Sequence, residues 1–329
     1  MTLLTNHCGK LEKLDNCPMT SKYSFIPPEL PSTICYLNGE FCPLAQAKIS
    51  VLDRGFIFGD GIYEVVPLYF GKPFRFEQHM KRFQRSLKEL RIENPFSNAE
   101  WLEIINTLAG RFAESVNQKV EDTHQIIYLQ ISRGVAPRDH VMTKGISPTV
   151  FMMTNPLKAI SPELRNAGVH CVSAHDFRWE KAHIKATSLL GAVLSRQISA
   201  DIDATETIMF RGDNLSEASS SNVWIVSNGT VFAPPKDNLL LEGIRYGLIE
   251  EICGEIDIPF VLRPISRNEV FNADEVLLSS ATKEVLAVTK IDETLIGSHT
   301  SHSGQPGPVY KRIYKAYQNY IERVCKNTN

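Results

Sequence analysis

Apolar and polar positions alternate in short runs from residue 34 onward, and the period of the pattern changes along the chain. CYLNGEFCPL (35–44) holds two such runs joined by Asn38-Gly39, the pair best suited to close a two-residue hairpin. GIYEVVPLYFGKPF (61–74) continues as strand, turn and strand. In EQHMKRFQRSLKEL (77–90) the period lengthens, and Met80, Phe83, Leu87 and Leu90 fall on one helical stripe. AEWLEIINTLAGRFAESV (99–116) predicts a second amphipathic helix, and HQIIYLQISRG (124–134) and TVFMMTN (149–155) predict strands. The block 34–153 therefore reads as a small α+β domain.

PLKAISPEL (156–164) has two prolines and no period, and an interdomain linker is expected over 154–162. Beyond it, VWIVSNGTVFAPP (223–235) repeats the hairpin signal on Asn228-Gly229. Helices are expected near 188–201, 245–256 and 307–324, with strands between them, so 163–329 reads as a larger α/β domain. Residues 1–33 mix polar positions with Pro27, Pro28 and Pro31 and read as an N-terminal extension, with Met19 as an alternative start. The expected fold class is α+β in two domains, with a cleft between them suited to a small molecule.

Bulk properties narrow the function. A net charge of −2 with interspersed signs gives no electrostatic footprint for nucleic acid or anionic lipid. No apolar run approaches the ~18 residues of a membrane span, and no signal peptide is expected. Seven cysteines, odd in number, widely spaced and without a C-x-x-C pair, read as reduced thiols of a cytoplasmic protein. The nine histidines have no spacing suited to a metal site, so no metal is expected.

Candidate chemistry starts at HIKATSLLGAV (183–193), where Lys185 stands among small and apolar residues. A lone lysine is usually a surface charge, and Lys181 fits that description. Glu217 precedes three serines and an asparagine in a polar loop ahead of a strand, where carboxylates are usually solvated or capping. Gly243 immediately precedes a helix, whose free N–H groups suit a phosphate, although glycine before a helix is ordinary. Ser280 and Thr282 lie in another turn, and Arg82 shares a helical face with His79.

DRGFIFGDGIYEVV, EQHMKRF, SRGVAPRDH, HIKATSLLGAVL, LSEASSSNV and LEGI occur in the order found in class IV aminotransferases, the fold-type IV pyridoxal-phosphate enzymes. The chain resembles this family over about residues 34–320, and within it most resembles the D-amino-acid aminotransferases. The resemblance implies pyridoxal 5'-phosphate as cofactor and Lys185 as the Schiff-base lysine that also shuttles the proton. It implies Glu217 as the acid beside the pyridine nitrogen, and Arg82 with the backbone N–H groups of Ile244 and Arg245, after Gly243, at the phosphate. By the same resemblance, Ser280, Ala281 and Thr282 are expected to complete the cofactor site. Tyr63 is an implied active-site tyrosine, and Arg138 and His140 the pair that binds the substrate carboxylate. Two positions depart from the family pattern: Gly243-Ile244-Arg245-Tyr246 lacks the usual threonine, and Ala281 stands where a hydroxyl residue is common.

The implied activity is ping-pong transfer of an amino group from a D-amino acid such as D-alanine to pyruvate or 2-oxoglutarate, in a homodimer with shared sites. A lysine amine has a pKa near ~10.4 in water, so desolvation or a neighbouring cation must activate it. A branched-chain L-aminotransferase and aminodeoxychorismate lyase share the fold and stand as alternatives. A cofactor-binding relative without turnover is the alternative from another class.

Overall fold

The computed structural model describes residues 33–326, so the extension expected over 1–33 lies outside the described residues but for Thr33. The first sheet takes β1 (Ile34–Leu37), β2 (Glu40–Pro43), β3 (Gly61–Tyr69), β4 (Lys72–Pro73), β5 (Gln125–Ser132) and β6 (Thr149–Pro156). Their order is β2-β1-β6-β5-β3-β4 and every neighbouring pair is antiparallel. Asn38 and Gly39 close β1 onto β2 with φ of 50° and 101°, the left-handed backbone such a turn demands.

α1 (Arg54–Phe58), α2 (Phe76–Leu90) and α3 (Asn98–Ser115) accompany this sheet. Met80, Phe83 and Leu87 of α2 and Trp101, Ile105 and Leu108 of α3 pack on Ile62, Val66, Ile127 and Leu129 of the strands. Ser97 and Glu100 form a capping box at the start of α3, which the apolar period alone does not reveal.

The second sheet begins after the segment expected to be a linker. That segment is partly ordered structure: β6 runs to Pro156, and α4 (Pro162–Ala167) starts on a Ser161 side chain that accepts from Leu164 N–H, with proline at its first turn. β7 (Val169–His175), α5 (Leu190–Ala200), β8 (Glu206–Arg211), β9 (Asn214–Ala218), β10 (Asn222–Ser227) and β11 (Thr230–Ala233) follow. Then come α6 (Ile244–Glu255), β12 (Phe260–Leu262), α7 (Arg267–Phe271), β13 (Glu275–Ser280), β14 (Glu284–Ile291), β15 (Thr294–Leu295) and α8 (Pro308–Ile321). The strand order is β12-β11-β10-β13-β14-β7-β8-β9, with β15 on β14.

This sheet is mixed, with β7 parallel to both β8 and β14, and both its faces are buried. Trp224 and Leu277 pack with Leu248, Ile249 and Ile252 of α6 and with Ile313 and Tyr317 of α8. Their strand neighbours Val223, Ile225, Val276 and Leu278 point the other way and join a separate cluster with Val169 and Ile208. Burial on both faces explains why these strands read as continuous apolar runs. Tyr69 and Phe74, from the end of β3 and the turn after β4, pack into the α6–α8 cluster and tie the two sheets together.

Among the described residues, no helix is long and apolar enough to cross a membrane.

Candidate active site

A cavity of about 850 Å³ is walled by β3, α2, the segment ahead of α5, α5 itself, the β9–β10 turn, the start of α6 and the β13–β14 turn. Lys185 stands on its wall, ahead of α5, in a stretch stitched to the first sheet. Tyr63 N–H donates to the Lys185 carbonyl at 3.0 Å, and Lys185 N–H donates to Ser86 Oγ of α2 at 3.4 Å. Lys185 Nζ lies 4.1 Å from the Tyr63 ring centroid, and Tyr63 stacks on Tyr128 at 5.6 Å. The amine is therefore held against an aromatic face at the cavity, while Lys181 is exposed.

Glu217 is not in a loop, as its polar neighbours suggested, but within β9, where it is buried. Arg178 Nη1 donates to its Oε1 at 2.7 Å, and Asn222 Nδ2 and Leu241 N–H donate to its Oε2, both at 3.2 Å. Arg178 is held in turn by Asp176, with Nε 2.9 Å from Oδ1 and Nη2 3.0 Å from Oδ2. Burial pushes the Glu217 carboxyl above its ordinary range against the pull of Arg178. A further positive donor in the cavity would relieve it.

Arg82 is buried rather than at the surface. Its Nε and Nη2 donate to both oxygens of Glu64, at 2.7 and 2.8 Å, and its Nη1 donates to the Glu242 carbonyl at 3.0 Å. His79 Nδ1 lies 2.7 Å from Glu64 Oε2. Burial alone would raise Glu64, but Arg82 and then the His79 contact hold it far below the usual carboxylate range. Burial lowers His79 to about 4, so at neutral pH a neutral ring donates through Nδ1. Its Nε2 is buried without a hydrogen-bond partner, and His79 lines the cavity beside Arg82.

Gly243 is the N-cap of α6, and no side chain caps that helix. The glycine is required by close approach: a Cβ there would come within 2.1 Å of Asn222 Oδ1. Gly243, Ile244 and Arg245 line the cavity, leaving the first N–H groups of a 12-residue helix at its wall. The Arg245 side chain turns into the protein, where Nε donates to Tyr317 Oη at 3.1 Å. Of the two sequence departures, the missing threonine thus leaves backbone donors in place.

Ser280, at the end of β13, and Ala281 and Thr282, in the turn to β14, also line the cavity. Lys283 follows them, its Nζ 2.7 Å from Glu206 Oε1; the buried Glu206 accepts from Ser221 Oγ at 2.8 Å and from Ser220 Oγ at 2.5 Å. One carboxylate therefore ties two walls of the cavity together.

Arg138 and His140 do not line this cavity. Both are exposed, with the Phe58 ring 5.4 Å from each. Their loop is pinned nonetheless: Arg54 Nη1 donates to the Asp139 carbonyl at 2.5 Å, and Arg54 Nε pairs with Asp60 at 2.8 Å.

Sequence reasoning missed Glu64, Asp176, Arg178 and Glu206. Glu64 had a signal: it follows Ile62 and precedes Val66 on the buried face of β3, a carboxylate at a core position. The other three had none: Asp176 and Arg178 pair locally, but what ties them to the site is Glu217, 39 residues beyond Arg178, and Glu206 meets Lys283 and Ser221 from distant segments.

The family model for amino-transferase class IV matches residues 61–291. D-alanine aminotransferase of Staphylococcus aureus (strain N315) is 35% identical over 292 residues, covering 87% of this chain and 97% of the relative. D-alanine aminotransferase of Bacillus licheniformis is 34% identical over 284 residues, covering 86% and 95%. Among solved structures, the branched-chain amino acid aminotransferase from Escherichia coli superposes with a TM-score of 0.75 at 23% identity, over 91% of this chain and 96% of that one. The 4-amino-4-deoxychorismate lyase of Pseudomonas aeruginosa gives a TM-score of 0.69 at 22% identity, over 88% and 98%. With a buried carboxylate, a wall lysine and a bare helix terminus facing one cavity, and with these relatives, the chain belongs to the class IV aminotransferases.

Proposed function

We propose that the protein is a transaminase that moves the amino group of a D-amino acid, such as D-alanine, to pyruvate or 2-oxoglutarate. The observation that carries this reading is the meeting of Lys185, Glu217 and the uncapped start of α6 on one cavity. The D-type substrate class draws on D-alanine aminotransferases at 34–35% identity over nearly their whole length. The branched-chain and lyase alternatives draw on likeness at 22–23% identity, which concerns the fold alone.

Enzymes of this class depend on pyridoxal 5'-phosphate, and the residues present fit it. The N–H groups of Ile244 and Arg245 suit its phosphate, and Arg82 lines the same cavity, tied by Nη1 to the nearby Glu242 carbonyl. Glu217, pushed up by burial despite Arg178, would gain from a second positive partner, which a protonated ring nitrogen supplies. Lys185 would hold the group covalently through Nζ. When bound, the cofactor supplies the electron sink that lets negative charge develop at the substrate Cα.

The chain's own residues do the remaining work. Lys185 Nζ takes the α proton as a base and later returns it, so one amine serves both halves of a ping-pong cycle. Tyr63 fixes where that amine sits. Arg178 keeps Glu217 ionised, and Asp176 keeps Arg178 aimed.

Arg138 and His140 bind the substrate carboxylate from the partner subunit of a homodimer. Three features support this: both side chains are exposed, their loop is pinned, and they do not line their own chain's cavity. At the cavity rim, α5 exposes Leu190, the lining residue Val193 and Leu194 at 71%, 59% and 52%, an apolar face that a symmetric partner would cover. The direct test screens D- and L-amino acids with pyruvate or 2-oxoglutarate as acceptor. D-alanine among the best donors is expected; dominance of L-branched donors would overturn the D-type reading.

A further inference from the structure

We propose that Cys35 and Cys42 form a dithiol site, outside the cavity, that a peroxide-class oxidant converts into a disulfide across the β1–β2 hairpin. The two residues are seven apart in sequence and lack a recognised motif, which is why their spacing suggested unrelated thiols. The hairpin places them directly opposite each other, with Sγ atoms 3.7 Å apart.

Leu44 N–H donates to the Thr33 carbonyl at 2.9 Å, and the antiparallel alternation then puts Cys35 and Cys42 on a hydrogen-bonded rung. Such rungs hold Cα atoms about 5.5 Å apart, within the commonest range for disulfides of about 5.5–6 Å. Cβ atoms on such a rung stand about 5.5 Å apart against about 3.8 Å in a disulfide, so closing the bond draws the two strands together locally as well as rotating the side chains.

The two thiols have unequal surroundings. Cys42 is partly exposed, whereas Cys35 is fully buried. Burial, with the neighbouring thiol, pushes Cys35 up to about 11, which makes it a poor first nucleophile. Cys42 is therefore the sulfur that meets the oxidant. With hydrogen peroxide, the Cys42 thiolate attacks one oxygen, the O–O bond breaks, and protonation of the leaving hydroxide gives water and a sulfenic acid. Cys35 Sγ then attacks Cys42 Sγ, the S–O bond breaks, and the departing hydroxide takes the Cys35 proton as a second water. Two thiols give up two electrons and two protons, and the peroxide is reduced to two waters.

β2 is an edge strand, and neither β1 nor β2 contributes a residue to the cavity wall. The bond would lock an exposed sheet edge against opening and leave transamination unchanged.

The test treats the full-length enzyme with hydrogen peroxide, alkylates the remaining thiols and maps tryptic peptides. No lysine or arginine lies between Lys22 and Lys48, so one peptide, 23–48, contains both cysteines. The expected result is a peptide lighter by two hydrogen masses, closed to alkylation and reopened by dithiothreitol. Its appearance should raise the thermal midpoint with no loss of activity. Cys35→Ser should instead leave Cys42 to oxidise to acids, and Cys42→Ser should leave Cys35 alkylatable after denaturation. Wild-type peptide still carrying two alkyl groups, Cys42 driven to sulfinic acid, or a bond to another peptide would each overturn the proposal.

Discussion

Arg178 Nη1 stands 2.7 Å from Glu217 Oε1, and Asp176 grips the same guanidinium from behind at 2.9 and 3.0 Å. The main pull toward the ionised form of the buried Glu217 thus comes from a neighbour that is itself oriented. Arg178→Gln should protonate Glu217, because burial already pushes its carboxyl upward. Removing one partner of a buried pair costs about 3–5 kcal/mol, so a lower thermal midpoint is expected too. Against wild type, kcat should fall at least about tenfold with a smaller change in KM, equivalent to about 1.4 kcal/mol of transition-state stabilisation. Arg178→Lys should recover part of it. An Arg178→Gln enzyme with wild-type kcat would show that Glu217 does not need its charge.

Lys185→Ala should abolish the D-alanine half-reaction and the absorbance of covalently held cofactor, while Lys181→Ala keeps both. The reason is placement: Lys185 is on the cavity wall and Lys181 is exposed. Equal losses from the two substitutions would refute the assignment.

Gly243→Ala tests the anion site at α6. Its Cβ would come within 2.1 Å of Asn222 Oδ1, and Asn222 also donates to Glu217. Overpacking of this kind costs about 1–3 kcal/mol, so a lower unfolding midpoint and weaker cofactor retention are expected together on dialysis. Cofactor affinity equal to wild type would mean that the helix start holds no phosphate.

Mixed dimers test the shared site. Lys185→Ala and Arg138→Ala chains, each inactive alone, are refolded together. If the loop serves the partner's site, a mixed dimer has one site with both lesions and one with neither, and activity should return to about a quarter of wild type for random pairing. If the loop serves its own chain, each site keeps one lesion and the mixture stays inactive despite subunit exchange.

His79 gives a pH signature. Its folded pKa of about 4 lies below the ordinary 6.5, so the unfolded chain binds more protons between those values. Stability from this group is fully present above pH 6.5 and is lost as pH falls toward 4. At about 1.4 kcal/mol per unit, the loss approaches about 3 kcal/mol. Urea unfolding from pH 7 to 5 should show a shallower decline for His79→Asn than for wild type. Identical slopes would place the titration elsewhere.

Local pattern carried much of the architecture. The Asn-Gly pairs at 38–39 and 228–229 are hairpin turns, and the stripe through Met80, Phe83 and Leu87 is the buried face of α2. These succeed because backbone dihedrals and side-chain direction follow from a few neighbouring residues. Ordered motifs also nominated Lys185, Glu217 and Gly243, which meet on one cavity. What the pattern could not say is which charges lose their water and who neutralises them. Arg82 reads as a surface residue until β3 brings Glu64 beside it, and Glu217 reads as a loop carboxylate until Arg178, 39 residues earlier, reaches it. Cys35 and Cys42 likewise become a pair only when the strands register. Burial and pairing depend on contacts between segments that periodicity treats as independent, so the electrostatics of this site belong to the tertiary structure.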